Sequence, residues 1–113
     1  MKVAISSTDK NIESNVSEVF GRCPYFIIAE INKEGKIEKT EVIKNESADQ
    51  AGGVGIAAAQ LMAEKDIEAV ITGNAGPRAL DVLRQFNISV YSGKGTVKDV
   101  LQEFVDGKLK KAN

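Results

Sequence analysis

The chain has 113 residues, 42% hydrophobic and 27% charged, the size and balance of one globular domain, 1–113, able to bury its own core. Fifteen basic residues against sixteen acidic leave a net charge of -1, which argues against a ligand such as nucleic acid or a membrane surface held mainly by charge. The sequence contains no His and a single cysteine, Cys23. The usual general base is therefore missing, and neither an intrachain disulfide nor a one-chain four-cysteine metal site can form.

Lys2–Ser6, KVAIS, is a compact apolar run and is expected to be a central strand, β1. Only Val3-Ala4-Ile5 follow Met1-Lys2 as an apolar run, too short for a secretory segment. No stretch approaches the roughly 20 apolar residues of a membrane span, so a cytoplasmic location is expected. A polar loop, Ser7–Asn11, comes next. Val16–Phe20 is expected to make a short helical turn stopped by Gly21. Pro24 holds Cys23 in extended geometry, and Tyr25–Ile31, YFIIAEI, is a strong strand, β2. A hairpin connection through Gly35 leads to β3, Ile37–Lys44, whose charges suit a sheet edge.

Asn45–Gly53 has no periodicity and is expected to be a loop. Gly52, Gly53 and Gly55 then open an Ala-rich helix, α1, over Val54–Lys65. Ala69-Val70-Ile71 reads as a covered strand, β4, ending in Thr72-Gly73. Gly73–Gly76 turns sharply into α2, with Pro77 suited to the first helical position and Asn87 to the end. Ile88–Tyr91 is β5. Ser92–Gly95 is a turn, and Thr96 with Asp99 resembles a cap for α3, Val97–Asp106. The tail from about residue 107 is expected to fray.

Short connections make β1, β2 and β3 a meander in which β2 runs antiparallel, and β4-α2-β5 needs a right-handed parallel crossover. Placing β4 beside β1 gives a five-stranded mixed sheet of order 3-2-1-4-5 with helices on both faces, a three-layer ribonuclease-H-like α/β fold. In that topology the three helices all begin at one sheet edge, together with eight of the ten glycines. Unpaired N–H groups and helix-dipole ends there favour an anionic ligand.

Cys23 falls at the mouth of β2, where Arg22 and the helix N-termini would favour a thiolate, a soft-metal or iron–sulfur ligand. Its other reading is a small buried hydrophobe. Arg22, Arg78 and Lys94 are the cations nearest the edge. Asp9, Glu30, Asp49 and Asp81 do not converge as a two-metal nuclease requires. The glycine runs match neither GxGxxG nor GxxxxGK[ST].

Taken together, KVAISS, EVFGRCPYFIIAEI, NESADQAGGVGIAAAQLM, VITGNAGPRALDVL and VYSGKGTV resemble the dinitrogenase iron–molybdenum cofactor biosynthesis family, the group of small NifX-like and NifB C-terminal-like proteins. The resemblance spans residues 1 to about 105. It implies a ribonuclease-H-like fold used for binding, with no catalysis, and a metallocluster cargo: an iron–sulfur or iron–molybdenum-type cluster held transiently. The implied site comprises Cys23 as metal ligand, with Arg22, Asn45, Gly52, Gly53, Gly55, Gly73, Asn74, Gly76 and Lys94 around the cargo. Some cofactor-carrying relatives use a His ligand, and this chain has none. The expected partners are cluster donor and acceptor proteins, with no nucleic acid or membrane, and the chain itself a monomer or weak homodimer. Two further readings remain open: a small regulator or enzyme that binds an anion or nucleotide at the same edge without metal, and a module that presents the edge loops to a partner enzyme.

Overall fold

The computed structural model describes residues 1–112. Its elements are β1 (Lys2–Ser7), β2 (Tyr25–Ile31), β3 (Ile37–Lys44), α1 (Val54–Glu64), β4 (Ala69–Thr72), α2 (Pro77–Gln85), β5 (Ser89–Ser92), α3 (Val97–Val105) and β6 (Lys110–Lys111). The sheet order is β3-β2-β1-β4-β5-β6. β2 is antiparallel to both neighbours, while β1, β4 and β5 are mutually parallel. This is the expected mixed sheet with one short strand added.

Strand alternation divides the core between two layers. Ala4, Phe26, Ile28, Val70 and Val90 face one way and are covered by Ala58, Ala59 and Met62 of α1 and by Ala79 and Leu83 of α2. Val3, Ile5, Ile27, Ala29 and Ile71 face the other way, under Val97, Val100 and Leu101 of α3. β1 and β4 are sandwiched on both faces, which is why Val3–Ile5 and Ala69–Ile71 read as uninterrupted apolar runs. Met62 and Leu83 are fully buried, and truncating either to Ala costs about 2–5 kcal/mol. β3 is exposed along nearly its whole length, as its charges require of an edge.

Local signals act where they were read. Gly35 turns the β2–β3 hairpin at φ 79°, and Asn32 Oδ1 accepts from the Glu34 and Lys36 N–H groups. Thr96 Oγ1 accepts from Asp99 N–H at 3.1 Å to cap α3. Asn87 takes the left-handed conformation just past α2.

Two expectations are corrected. Val16–Phe20 is extended: Val16 bridges to Ser7 and Val19 to Asn74. The strand ends at β1 and β4 need partners, and this segment supplies them. Ser17 N–H donates to Ser6 O and Gly73 N–H to Ser17 O, while Ser6 Oγ lies 3.0 Å from Ser17 O and 2.7 Å from Thr72 Oγ1. The tail does not fray at 107. Gly107 reverses the chain at φ 72°, Leu109 packs on the α3-side core, and Lys110–Lys111 pair with Tyr91–Ser92, covering an edge of β5 that would otherwise stay open.

Candidate functional site

The C-terminal ends of β1, β3, β4 and β5 meet the start of β2 at one edge of the sheet, and α1, α2 and α3 all begin there. The three helix starts differ. α3 carries its Thr96 cap, whereas α1 (after Gly53) and α2 (after Gly76) have no capping side chain. The first-turn N–H groups of those two helices thus have no side-chain acceptor and face the edge with their dipole ends.

Val19 divides this edge. It stands half out of the surface at 51% exposure and pairs with Asn74 in a parallel bridge, closed by Phe20 N–H donating to Asn74 O at 3.0 Å. On one side lies a groove of about 600 Å³ whose wall is the two uncapped helix starts, Gly52–Ile56 and Gly76–Ala79, with Arg22 and Arg78 contributing charge. On the other side lies a groove of about 900 Å³ lined by Thr8, Asn15, Glu18, Gly73, Ser92 and Lys94 among others. Val19 and Asn74 line both.

The sequence-derived residues are therefore split. Arg22, Gly52, Gly53, Gly55 and Gly76 belong to the helix-start groove, Gly73 and Lys94 to the second, and Asn74 to the wall between. Glycine has distinct reasons at different points. A Cβ on Gly21 would stand 2.8 Å from Gly55 N, so the backbone of the 20–24 loop rests directly on the start of α1. A Cβ on Gly52 or Gly76 would meet nothing within 4 Å, and those positions leave space in the groove itself.

Asn45 and Cys23 line neither groove. Asn45, 3% exposed, is a structural tie: its N–H donates to Pro24 O and its Nδ2 to Gly21 O at 3.1 Å and Cys23 O at 2.9 Å. Its Oδ1 is buried without a protein partner. Arg22 adds an outer tie, its guanidinium donating to Ala48 O and Gln50 O at 3.0 and 2.9 Å. Both fasten the 45–53 loop to the 20–24 loop. Cys23 is 1% exposed among Phe20, Phe26 and the α1 face, with its thiol donating to Phe20 O at 3.3 Å. Burial pushes the thiol up to about 12, against the smaller opposite pull of hydrogen bonds from the Ser7 backbone and Asn45. Of the two readings of Cys23, this geometry is that of the small buried hydrophobe and not of a thiolate at the strand mouth. Pro24 extends the chain here, but Sγ turns into the core, and Arg22 points at loop carbonyls rather than at sulfur.

Asp9, Glu30, Asp49 and Asp81 stay dispersed; among the described residues no group of three or more His, Cys, Asp or Glu could hold a metal ion. The residues that sequence reasoning missed are Val19 and Phe20, which form the dividing wall. The signal was present as β-branched Val16 and Val19 with Phe20, all poorly suited to a free helical turn.

The chain has the ribonuclease-H-like layout, with two helix starts and two arginines lining a groove at this edge and no carboxylate cluster among the described residues. The chain belongs to the dinitrogenase iron–molybdenum cofactor family, whose profile matches residues 1–107. It is 36% identical to the uncharacterized protein MJ0580 of Methanocaldococcus jannaschii, over 98% of this chain and 95% of that one. Among solved structures it resembles PH0822, with a TM-score of 0.83 and 33% identity, covering 98% of this chain and 96% of the other. It also resembles the apo form of the orange protein from Desulfovibrio gigas, with a TM-score of 0.88 and 26% identity over 98% and 92% of the two chains. The Thermotoga protein TM1290, described as a candidate NifB protein, superposes with a TM-score of 0.82 at 34% identity, over 97% and 91%. No helix among the described residues is long and apolar enough to cross a membrane.

Proposed function

We propose that this protein is a non-catalytic carrier of an anionic metallocluster, of the iron–sulfur or iron–molybdenum type, and that the cargo sits in the helix-start groove. The observation that carries the reading is the convergence of two helix N-termini without side-chain caps on one groove that also holds Arg22 and Arg78. Membership of a family named for the iron–molybdenum cofactor supports the choice of cargo. Backbone N–H groups and guanidinium donors would contact the sulfide and oxide periphery of such a cluster, and open space at Gly52 and Gly76 lets it approach the backbone. With Cys23 buried and protonated, the cargo is held by hydrogen bonds and charge, without a bond to protein sulfur. Such a hold suits transfer between donor and acceptor proteins.

The test is anaerobic purification followed by iron, sulfide and molybdenum analysis with absorption spectra, before and after offering a preassembled cluster. Wild type and Cys23→Ala should bind alike, while Arg22→Ala and Arg78→Ala should bind more weakly. Loss of cluster in Cys23→Ala alone would replace this mode of holding with direct ligation. Failure of every variant and the wild type to hold metal would end the carrier reading. It would favour a metal-free anion binder at the same groove, a reading the inward-turned thiol already supports.

A further inference from the structure

β3 is an edge strand of the sheet, paired with β2 on one side. Asn45 N–H donates to Pro24 O, and the register pairs Phe26 with Ile43 and Ile28 with Glu41. Odd-numbered residues of β3 therefore turn their backbone groups toward β2, and Thr40 and Val42 turn theirs outward, with no strand beyond them among the described residues. Val42, 42% exposed, and Ile37, 43% exposed, add apolar surface along the same edge.

The side chains of this edge are arranged in charge. Ladder registers align Lys2 with Glu30 and Glu30 with Lys39, so one transverse row alternates plus, minus, plus across β1, β2 and β3. Among the described residues neither Lys39 nor Glu41 has an ion-pair partner within 4.0 Å. A second β3 laid antiparallel with its two-fold axis at Thr40 sets Lys39 opposite Glu41 on both sides of the axis. It continues the row with a negative charge and pairs the outward backbone groups of Thr40 with those of the second Thr40. Sliding the pairing one step either way sets Glu41 against Glu41, or Lys39 against Lys39, and like charges directly opposite are unfavourable.

We propose that β3 is a self-association edge, on which a second copy of this chain pairs antiparallel about Thr40 through two Lys39–Glu41 contacts. The β-bulge between Glu30 and Ile31 ends the regular ladder near Ile37. The pairing is short, and the dimer forms at high protein concentration rather than as an obligate unit.

Sedimentation or light scattering across a concentration series tests this directly. Wild type should dimerise as concentration rises. Lys39→Glu and Glu41→Lys should each weaken the dimer about tenfold by facing like charges in both contacts. An equimolar mixture of the two single variants should form a heterodimer of wild-type strength, since each contact again joins opposite charges, and the double variant should recover as well. Circular dichroism checks that these exposed substitutions leave the fold intact. A wild type monomeric at every concentration would overturn the proposal, as would a mixture no stronger than the single variants, which would mean a different register or surface.

Discussion

Gly73 passes so close to Glu18 that a Cβ on the glycine would stand 2.6 Å from Glu18 Cα and 3.0 Å from its carbonyl oxygen. This contact seats the extended 16–20 segment on the end of β4 and so builds the wall between the two grooves. Gly73→Ala should therefore destabilise the protein by about 1–3 kcal/mol, as overpacking against backbone does. Gly76→Ala is the control: its φ of -63° and ψ of 164° suit Ala and nothing lies within 4 Å of the added methyl. Its melting temperature should stay within the range of a neutral surface change, about 0.5 kcal/mol. Cargo binding should fall about tenfold, because the methyl intrudes where the cluster approaches the amides. Thermal unfolding and cluster titration, run on both variants, separate the two roles.

That pair of glycines marks what could and could not be read from sequence. Apolar runs and turn residues defined the meander, the β4-α2-β5 crossover and the crowded edge, because each depends on local periodicity and on chain-length limits to connections. Whether a glycine at that edge yields to a neighbouring backbone, as Gly21 and Gly73 do, or faces open space, as Gly52 and Gly76 do, depends on contacts between residues distant in sequence. Cys23 admits two readings from sequence for the same reason. Its flanking Arg22 and Pro24 describe a loop at a strand mouth, but the direction of Sγ is set by Phe20, Phe26 and Asn45. The pairing of Lys110–Lys111 with β5 likewise depends on an open edge that no tail residue announces.

The buried thiol makes stability depend on alkaline pH. In the unfolded chain a cysteine ionises near about pH 8.5, whereas in the fold Cys23 is held protonated up to about 12. The folded state therefore keeps a proton that the unfolded state has lost, and stability must fall as pH rises from about 8.5 toward about 12. Chemical denaturation at a series of pH values should show this decline in wild type and a shallower one in Cys23→Ala. Thiol reagents at pH 8 should label native protein slowly and unfolded protein at once.

Asn45 closes two backbone carbonyls in a place water does not reach. Asn45→Ala should cost about 2–4 kcal/mol, since both Gly21 O and Cys23 O lose their donor on burial. Labelling of Cys23 should accelerate in the same variant, because the loops that Asn45 joins are those flanking the thiol. An unchanged labelling rate would mean that the 45–53 loop does not control access to Cys23.

Arg22 makes the outer tie between the same loops, and it does so from an exposed position. Arg22→Ala should lower global stability by about 1 kcal/mol or less, while hydrogen exchange in residues 46–52 should quicken. Arg22→Lys should not restore protection, because a lysine ammonium lacks the planar fork that reaches Ala48 O and Gln50 O together.

The position of β1 in the sheet has a kinetic consequence. Its first partner, β2, follows within the next thirty residues, but its second edge is filled by Ala69–Ile71, paired with Val3–Ile5. The meander can close over short loops, whereas β4 must arrive from far along the chain, where loop-closure entropy weighs most and folding is slowest. During synthesis β1 leaves the ribosome before β4 and keeps one hydrogen-bonding edge bare until more than sixty further residues have followed. The interval before β4 arrives is when this protein is most open to strand exchange with its neighbours.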